Sequence, residues 1–91
     1  MNMYYTYVLK SLKDKRFYIG FTSNLDARMT AHAKGLVSST KYRRPFILVY
    51  YEVCFDEAAA IKREKYLKTT YGHRYLKNRI PNDDKLGLVI Q

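Results

Sequence analysis

The chain has 91 residues, enough to build one hydrophobic core and too few for a second, so one function on one compact scaffold is expected. Lys and Arg number 17 against 8 Asp and Glu, a formal charge of +9 that exceeds what solubility requires and points to a polyanionic partner. The single cysteine, Cys54, excludes an internal disulfide framework and a cysteine-based zinc site and is expected to be a buried thiol.

The positive charge is spread along the chain, which favours a basic surface over a basic tail. No signal-peptide pattern is present and the longest apolar run, residues 46–51, is too short to span a bilayer, so a cytoplasmic location is expected. Ten tyrosines decide nothing by number alone, because tyrosine also serves in strands and cores.

Residues 4–9 are almost all aromatic, β-branched or aliphatic, and a polar stretch separates them from a second such run at 16–21, which together read as a β-hairpin. In the second run Phe17, Ile19 and Phe21 share one face and Tyr18 the other; an even-length turn would put Tyr5 and Tyr7 on the Tyr18 side. Ser23 or Asn24 is a good N-cap for a helix over 25–34, with Gly35 as its stop. Leu25, Arg28, Met29 and His32 then share the inward face of that helix.

Residues 36–45 lack periodicity and read as a basic surface loop carrying Lys41, Arg43 and Arg44. A β-type run over 46–55, interrupted by Glu52, supplies a third strand. Asp56 is placed to cap a second helix over 57–71 that Gly72 would end, with an inward stripe of Ala60, Ile61, Glu64, Leu67 and Tyr71 and solvated charges at Lys62, Arg63, Lys65 and Lys68. A short third helix over 73–80 stops at Pro81. The expected class is α+β, one domain over 1–81 followed by a tail over 82–91.

Ionised side chains are rarely buried alone, so Arg28 and Glu64 on inward helix faces must pair or border a wet, polar site. A salt bridge at the rim of the core is the simpler reading, but His32 one turn after Arg28 and Tyr18 on the less apolar strand face add two more chemically capable groups. Such a set suits phosphodiester hydrolysis, which needs a hard cation on the phosphate, a base for water and positive charge for the developing anion.

The residues Tyr18-Ile19-Gly20, Asn24-Leu25, Arg28 and His32, with the later segment 58–64 ending in Glu64, resemble the GIY-YIG nuclease family over roughly residues 4–80. Within it the chain is similar to small stand-alone members and to the N-terminal nuclease domain of the nucleotide-excision-repair incision subunit. Where the family has Gly-Ile-Tyr this chain has Tyr5-Thr6-Tyr7, so the tyrosine alone is kept. The resemblance implies a three-stranded antiparallel sheet flanked by helices, in the order β-β-α-β-α-α. It also implies one divalent cation, Mg²⁺ or Mn²⁺, at Glu64. Arg28 would stabilise the phosphate, Tyr7 and Tyr18 would orient or deprotonate water, and His32 would assist proton transfer.

The implied function is cleavage of DNA, branched or damaged, in repair or recombination, with the loop cations Lys41, Arg43 and Arg44 on the backbone and specificity supplied by this surface or by a protein partner. Two other readings stand beside it. One is a binding module of the same fold with weak or lost catalysis. The other is an RNA-binding α+β domain using tyrosines as stacking platforms, which requires exposed aromatics on an open sheet face.

Overall fold

In the computed structural model, which describes residues 2–80, the chain forms β1 (Tyr4–Ser11), β2 (Phe17–Thr22), α1 (Leu25–Ala33), β3 (Phe46–Cys54), α2 (Glu57–Leu67) and α3 (Thr70–Arg79). The three strands make one antiparallel sheet in the order β2-β1-β3. The α+β class and the expected order of elements are both seen.

The hairpin has the expected register, with Tyr7 opposite Gly20 and Leu9 opposite Tyr18, so tyrosines 5, 7 and 18 share a face. No turn dipeptide sets this register; Ser11 does. Its hydroxyl accepts from the backbone N–H groups of Lys13 and Asp14 at 3.1 Å each, and Lys15 takes the left-handed conformation at φ 64° that closes the turn.

Each face of the sheet has its own helical layer. On the Tyr7 face, Tyr7, Leu9 and Phe46 form a buried cluster against Leu25 and Met29 of α1. On the other, Val8 and Ile19 meet Leu67 of α2 and Leu76 of α3, and the Thr6 hydroxyl donates to the Ala60 carbonyl at 2.9 Å. Thr6 therefore faces α2, away from Tyr7, and the departure of this position from the family signature does not touch the Tyr7 side.

Along β3 the register with β1 slips where Val8 pairs with Tyr50 and Leu9 with Leu48, leaving Val49 as the extra residue. This bulge resets the alternation. Phe46 and Leu48 lie with the α1 layer, Val49 and Tyr50 both pack on the α2–α3 layer, and Tyr51 returns to the Tyr7 face.

Helix α1 is closed at both ends by its own sequence. The Asn24 side chain accepts from Ala27 N–H at 3.1 Å, and at the other end Gly35, at φ 76°, permits Leu36 N–H to reach the Ala31 carbonyl at 2.9 Å and Gly35 N–H the His32 carbonyl at 3.1 Å.

The expectation of one helix over 57–71 ended by Gly72 is corrected. The chain turns at Lys68 and Thr69, and Thr69 caps α3 by accepting from Gly72 N–H at 3.1 Å, so a competing N-cap splits the run. Tyr71, assigned to the inward stripe, is 70% exposed. Asp56 sits at the N-cap of α2 without a side-chain capping bond, and Cys54, expected buried, is half-buried because β3 is an edge strand there. Arg63 is not a solvated charge: it makes a two-pronged pair with Glu52 at 2.8 to 3.0 Å, and Tyr50 donates to the same carboxylate at 2.6 Å. The tail over 82–91 lies outside the described residues.

Gly72 is buried where α3 crosses the end of α2, and a Cβ there would strike the Tyr66 carbonyl and the Leu67 backbone. Neither neighbour is a flexible side-chain end, so Gly72→Ala is expected to destabilise the fold by about 2 kcal/mol or more, read as a lower midpoint in urea unfolding.

Candidate active site

Four of the five residues expected to carry catalysis converge over the Tyr7 face. Strand β1 supplies Tyr7, β2 supplies Tyr18, and one face of α1 supplies Arg28 and His32, one helical turn apart. Arg28 Nε donates to the Tyr7 hydroxyl oxygen at 3.2 Å, and that hydroxyl is 2.7 Å from His32 Nε2. The Tyr18 ring meets His32 edge-on, centroids 5.2 Å apart, and lies 6.4 Å from the Tyr7 ring. Gly20 makes room for this: a Cβ at that position would collide with the Tyr7 hydroxyl and ring.

The far side of the imidazole fixes its tautomer. His32 Nδ1 is 2.8 Å from the Thr40 hydroxyl, which in turn donates its one proton to the Val37 carbonyl at 3.3 Å. Thr40 must therefore accept from Nδ1–H. Nε2 is left with its lone pair facing Tyr7, so Tyr7 donates its proton to His32 while accepting from Arg28. One directed chain runs Arg28, Tyr7, His32, Thr40, Val37.

Thr40 is a site residue that sequence reasoning missed. It is fully buried although it lies in a segment read as a surface loop, and no periodicity could have marked it. The loop over 36–45 instead carries a short 3₁₀ turn, Lys41–Arg43, and is pinned by its own cations. Arg43 pairs with Asp14 at 2.6 Å and reaches the Arg16 carbonyl; Arg44 donates to the Lys41 and Ala33 carbonyls at 2.9 and 3.0 Å, which caps the end of α1. Lys41 extends over the ring of the exposed Tyr42 at 4.8 Å.

The fifth residue, Glu64, lies on α2, the layer that packs on the other face of the sheet. Its carboxylate, with 21% of the side chain exposed, pairs with Lys68 one turn on at 3.4 Å rather than with Arg28. Its charge is felt at Tyr7, where it adds to the rise in the hydroxyl pKa. Among the described residues no three His, Cys, Asp or Glu side chains gather as a metal cluster. The donor set suits a hard, largely hydrated cation such as Mg²⁺, which takes one or two carboxylates, and does not suit zinc.

Burial pushes the Tyr7 hydroxyl up to about 12, against the pull of the Arg28 hydrogen bond. The bond to Tyr7 raises Arg28 further, so its guanidinium stays charged. Burial, aided by the Arg28 charge, lowers His32 to about 4. His32 is thus neutral at physiological pH, as the hydrogen-bond chain requires. The sign follows: as pH falls from about 6.5 towards 4 the unfolded chain takes up a proton that folded His32 refuses, so folding stability is lost in that window. Between about pH 7 and pH 4.5 the wild type is expected to lose about 2 kcal/mol more than His32→Gln, measured by urea unfolding at each pH.

Residues 3–78 match the GIY-YIG catalytic domain. A UPF0213 protein of Staphylococcus haemolyticus is 38% identical over 78 residues, covering 85% of this chain and 94% of that one. A UPF0213 protein of Clostridium perfringens is 42% identical over 67 residues, covering 72% and 71%. The solution NMR structure of a UPF0213 protein from Bacillus halodurans superposes with a TM-score of 0.53 at 29% identity, covering 84% of this chain and 83% of that one. No described helix is long and apolar enough to cross a membrane. With its match over residues 3–78 and its identity to these relatives, the chain belongs to the GIY-YIG family of nuclease domains, in its UPF0213 branch.

Proposed function

We propose that this protein is a metal-dependent endonuclease that hydrolyses phosphodiester bonds in DNA. The observation that carries the reading is the buried chain from Arg28 through Tyr7 to His32 and Thr40, which holds a charged guanidinium, a tyrosine hydroxyl and an imidazole in line. With Nε engaged by Tyr7, the terminal nitrogens of Arg28 form the fork that grips phosphate oxygens. Glu64 would hold Mg²⁺ or Mn²⁺, which supplies Lewis-acid stabilisation of charge on the phosphate.

Burial raises the Tyr7 hydroxyl to about 12 and lowers His32 to about 4, so both shifts favour the neutral tyrosine beside the neutral imidazole at rest. Tyr7 acts by passing protons: its oxygen takes one from the attacking water as its own goes to His32 Nε2, which the negative phosphate makes more basic. Tyr18, whose hydroxyl lies 3.5 Å from the Ser39 hydroxyl and within the influence of Arg28, orients the water. Arg43 and Arg44, committed to protein partners, contribute positive field behind the site, and Lys41 is the loop cation suited to a direct phosphate contact. Substrate DNA that is branched or damaged, a role in repair or recombination, and a protein partner that adds specificity belong to the same proposal.

Nicking of supercoiled plasmid in Mg²⁺ or Mn²⁺ tests it. Chelation should abolish cutting, and Glu64→Ala and Arg28→Ala should each lower the rate by about 10²-fold or more. Wild-type protein that binds the plasmid but never nicks it would instead favour the binding-module reading. The relay has its own signature: Tyr7→Phe and His32→Gln should each lose a similar factor, on the order of 10²-fold, and the double variant little more than either. Losses that multiply would separate the two residues.

A further inference from the structure

The sheet face that carries the site is not fully covered by α1. Beyond Tyr7 it continues to Tyr5 and, through the β3 bulge, to Tyr51 and Val53, which are 50% and 46% exposed. The Tyr5 and Tyr51 rings lie 6.1 Å apart at an interplanar angle of 57°. Between them and the start of α1 is a recess of about 270 Å³ lined by Tyr5, Ser23, Asn24, Leu25, Asp26 and Tyr51.

Two elements join this recess to the site. Tyr5 precedes Tyr7 by two residues on the same face, about 7 Å along the strand. Leu25 precedes Arg28 by one helical turn. Whatever occupies the recess is one nucleotide's reach from a phosphate held by Arg28.

The lining says what it can take. On a chain of net charge +9 the one charged side chain in the recess is a carboxylate, Asp26, beside the hydroxyl of Ser23 and the side chain of Asn24. A phosphate would be repelled there. A flat, neutral ring that stacks on tyrosine and offers N–H groups at its edge fits. Bases in a duplex have both faces stacked and their pairing edges occupied, so they cannot enter.

We infer that Tyr51 is a stacking platform for an unpaired nucleobase beside the phosphate that Arg28 holds, with the tilted Tyr5 ring meeting the edge of that base, and that Asp26 accepts a hydrogen bond from an exocyclic amino group of the base. The inference rests on the proposed phosphate site at Arg28. It makes the preferred substrate a strand with at least one unpaired base next to the cut, cytosine being favoured over thymine, which has no exocyclic amine.

Binding measured without metal tests it apart from cleavage. Fluorescence anisotropy in chelator, with short labelled oligodeoxycytidylate, oligothymidylate and a blunt duplex, is the readout. Tyr51→Ala should weaken binding of oligodeoxycytidylate about ten-fold or more while changing duplex binding less than about two-fold, and Tyr51→Phe should restore it. Wild type should prefer oligodeoxycytidylate to oligothymidylate, and Asp26→Asn should narrow that preference. Equal weakening on duplex and single strand, or no weakening in Tyr51→Ala, overturns the platform; equal wild-type affinity for the two single strands overturns the role of Asp26. Tyr51 is half-exposed on an edge strand, so its loss leaves the core intact. Protein that binds as expected but never cuts would sink the nuclease reading and leave this one standing.

Discussion

A fully buried imidazole has two ring nitrogens to satisfy, and here one must donate and the other accept. Thr40 settles the choice because its only proton goes to the Val37 carbonyl, which leaves it an acceptor toward His32 Nδ1. From that point each hydrogen bond is directed, and the Tyr7 hydroxyl is held between a donor, Arg28, and an acceptor, His32. Low local dielectric makes such a chain stiff, and a partly satisfied version of it would be costly. The rest of the molecule can be understood as what holds these five residues in line.

Strand β1 gives Tyr7 to one face and Thr6 to the other, so the strand that carries the site is also bolted to α2 through the Ala60 carbonyl. The loop that carries Thr40 is kept in place by Ser11, whose hydroxyl donates to the Arg43 carbonyl at 2.6 Å, and by the Arg43–Asp14 pair, which ties the same loop to the hairpin turn. Arg44 then links the loop back to the end of α1 at the Ala33 carbonyl, next to His32. Positive residues that a reading of charge assigns to DNA thus also do structural work, and the two roles compete for the same guanidinium groups.

Periodicity carried most of the architecture because the relevant faces are regular. Hydrophobic alternation located all three strands, the Asn24 and Gly35 signals bounded α1, and Arg28 and His32 stood out because they occupy its inward face. Glu64 stood out on α2 in the same way. Irregular features were illegible. The break at Thr69 hinges on one capping hydroxyl within a run of good helix formers, and Gly72, read as a stop, is instead a close-packing position. The bulge at Val49 changes which residues of β3 face the site without changing composition. Thr40 and the Glu52–Arg63 pair depend on contacts 8 and 11 residues apart across turns, where no sequence period exists.

The central position of β1 has a consequence for how the chain is made. Because it emerges before β2 and β3 during synthesis it can pair early with β2 through a local hairpin, but its other edge stays open until β3 follows more than 30 residues later, Ser11 finding Phe46. During that interval the edge presents Tyr5, Tyr7 and Leu9, an aromatic and aliphatic row able to template pairing with another nascent chain. The alternating Lys10 and the charged turn at Lys13 to Arg16 sit at the end of this edge, where like charges keep neighbouring chains apart.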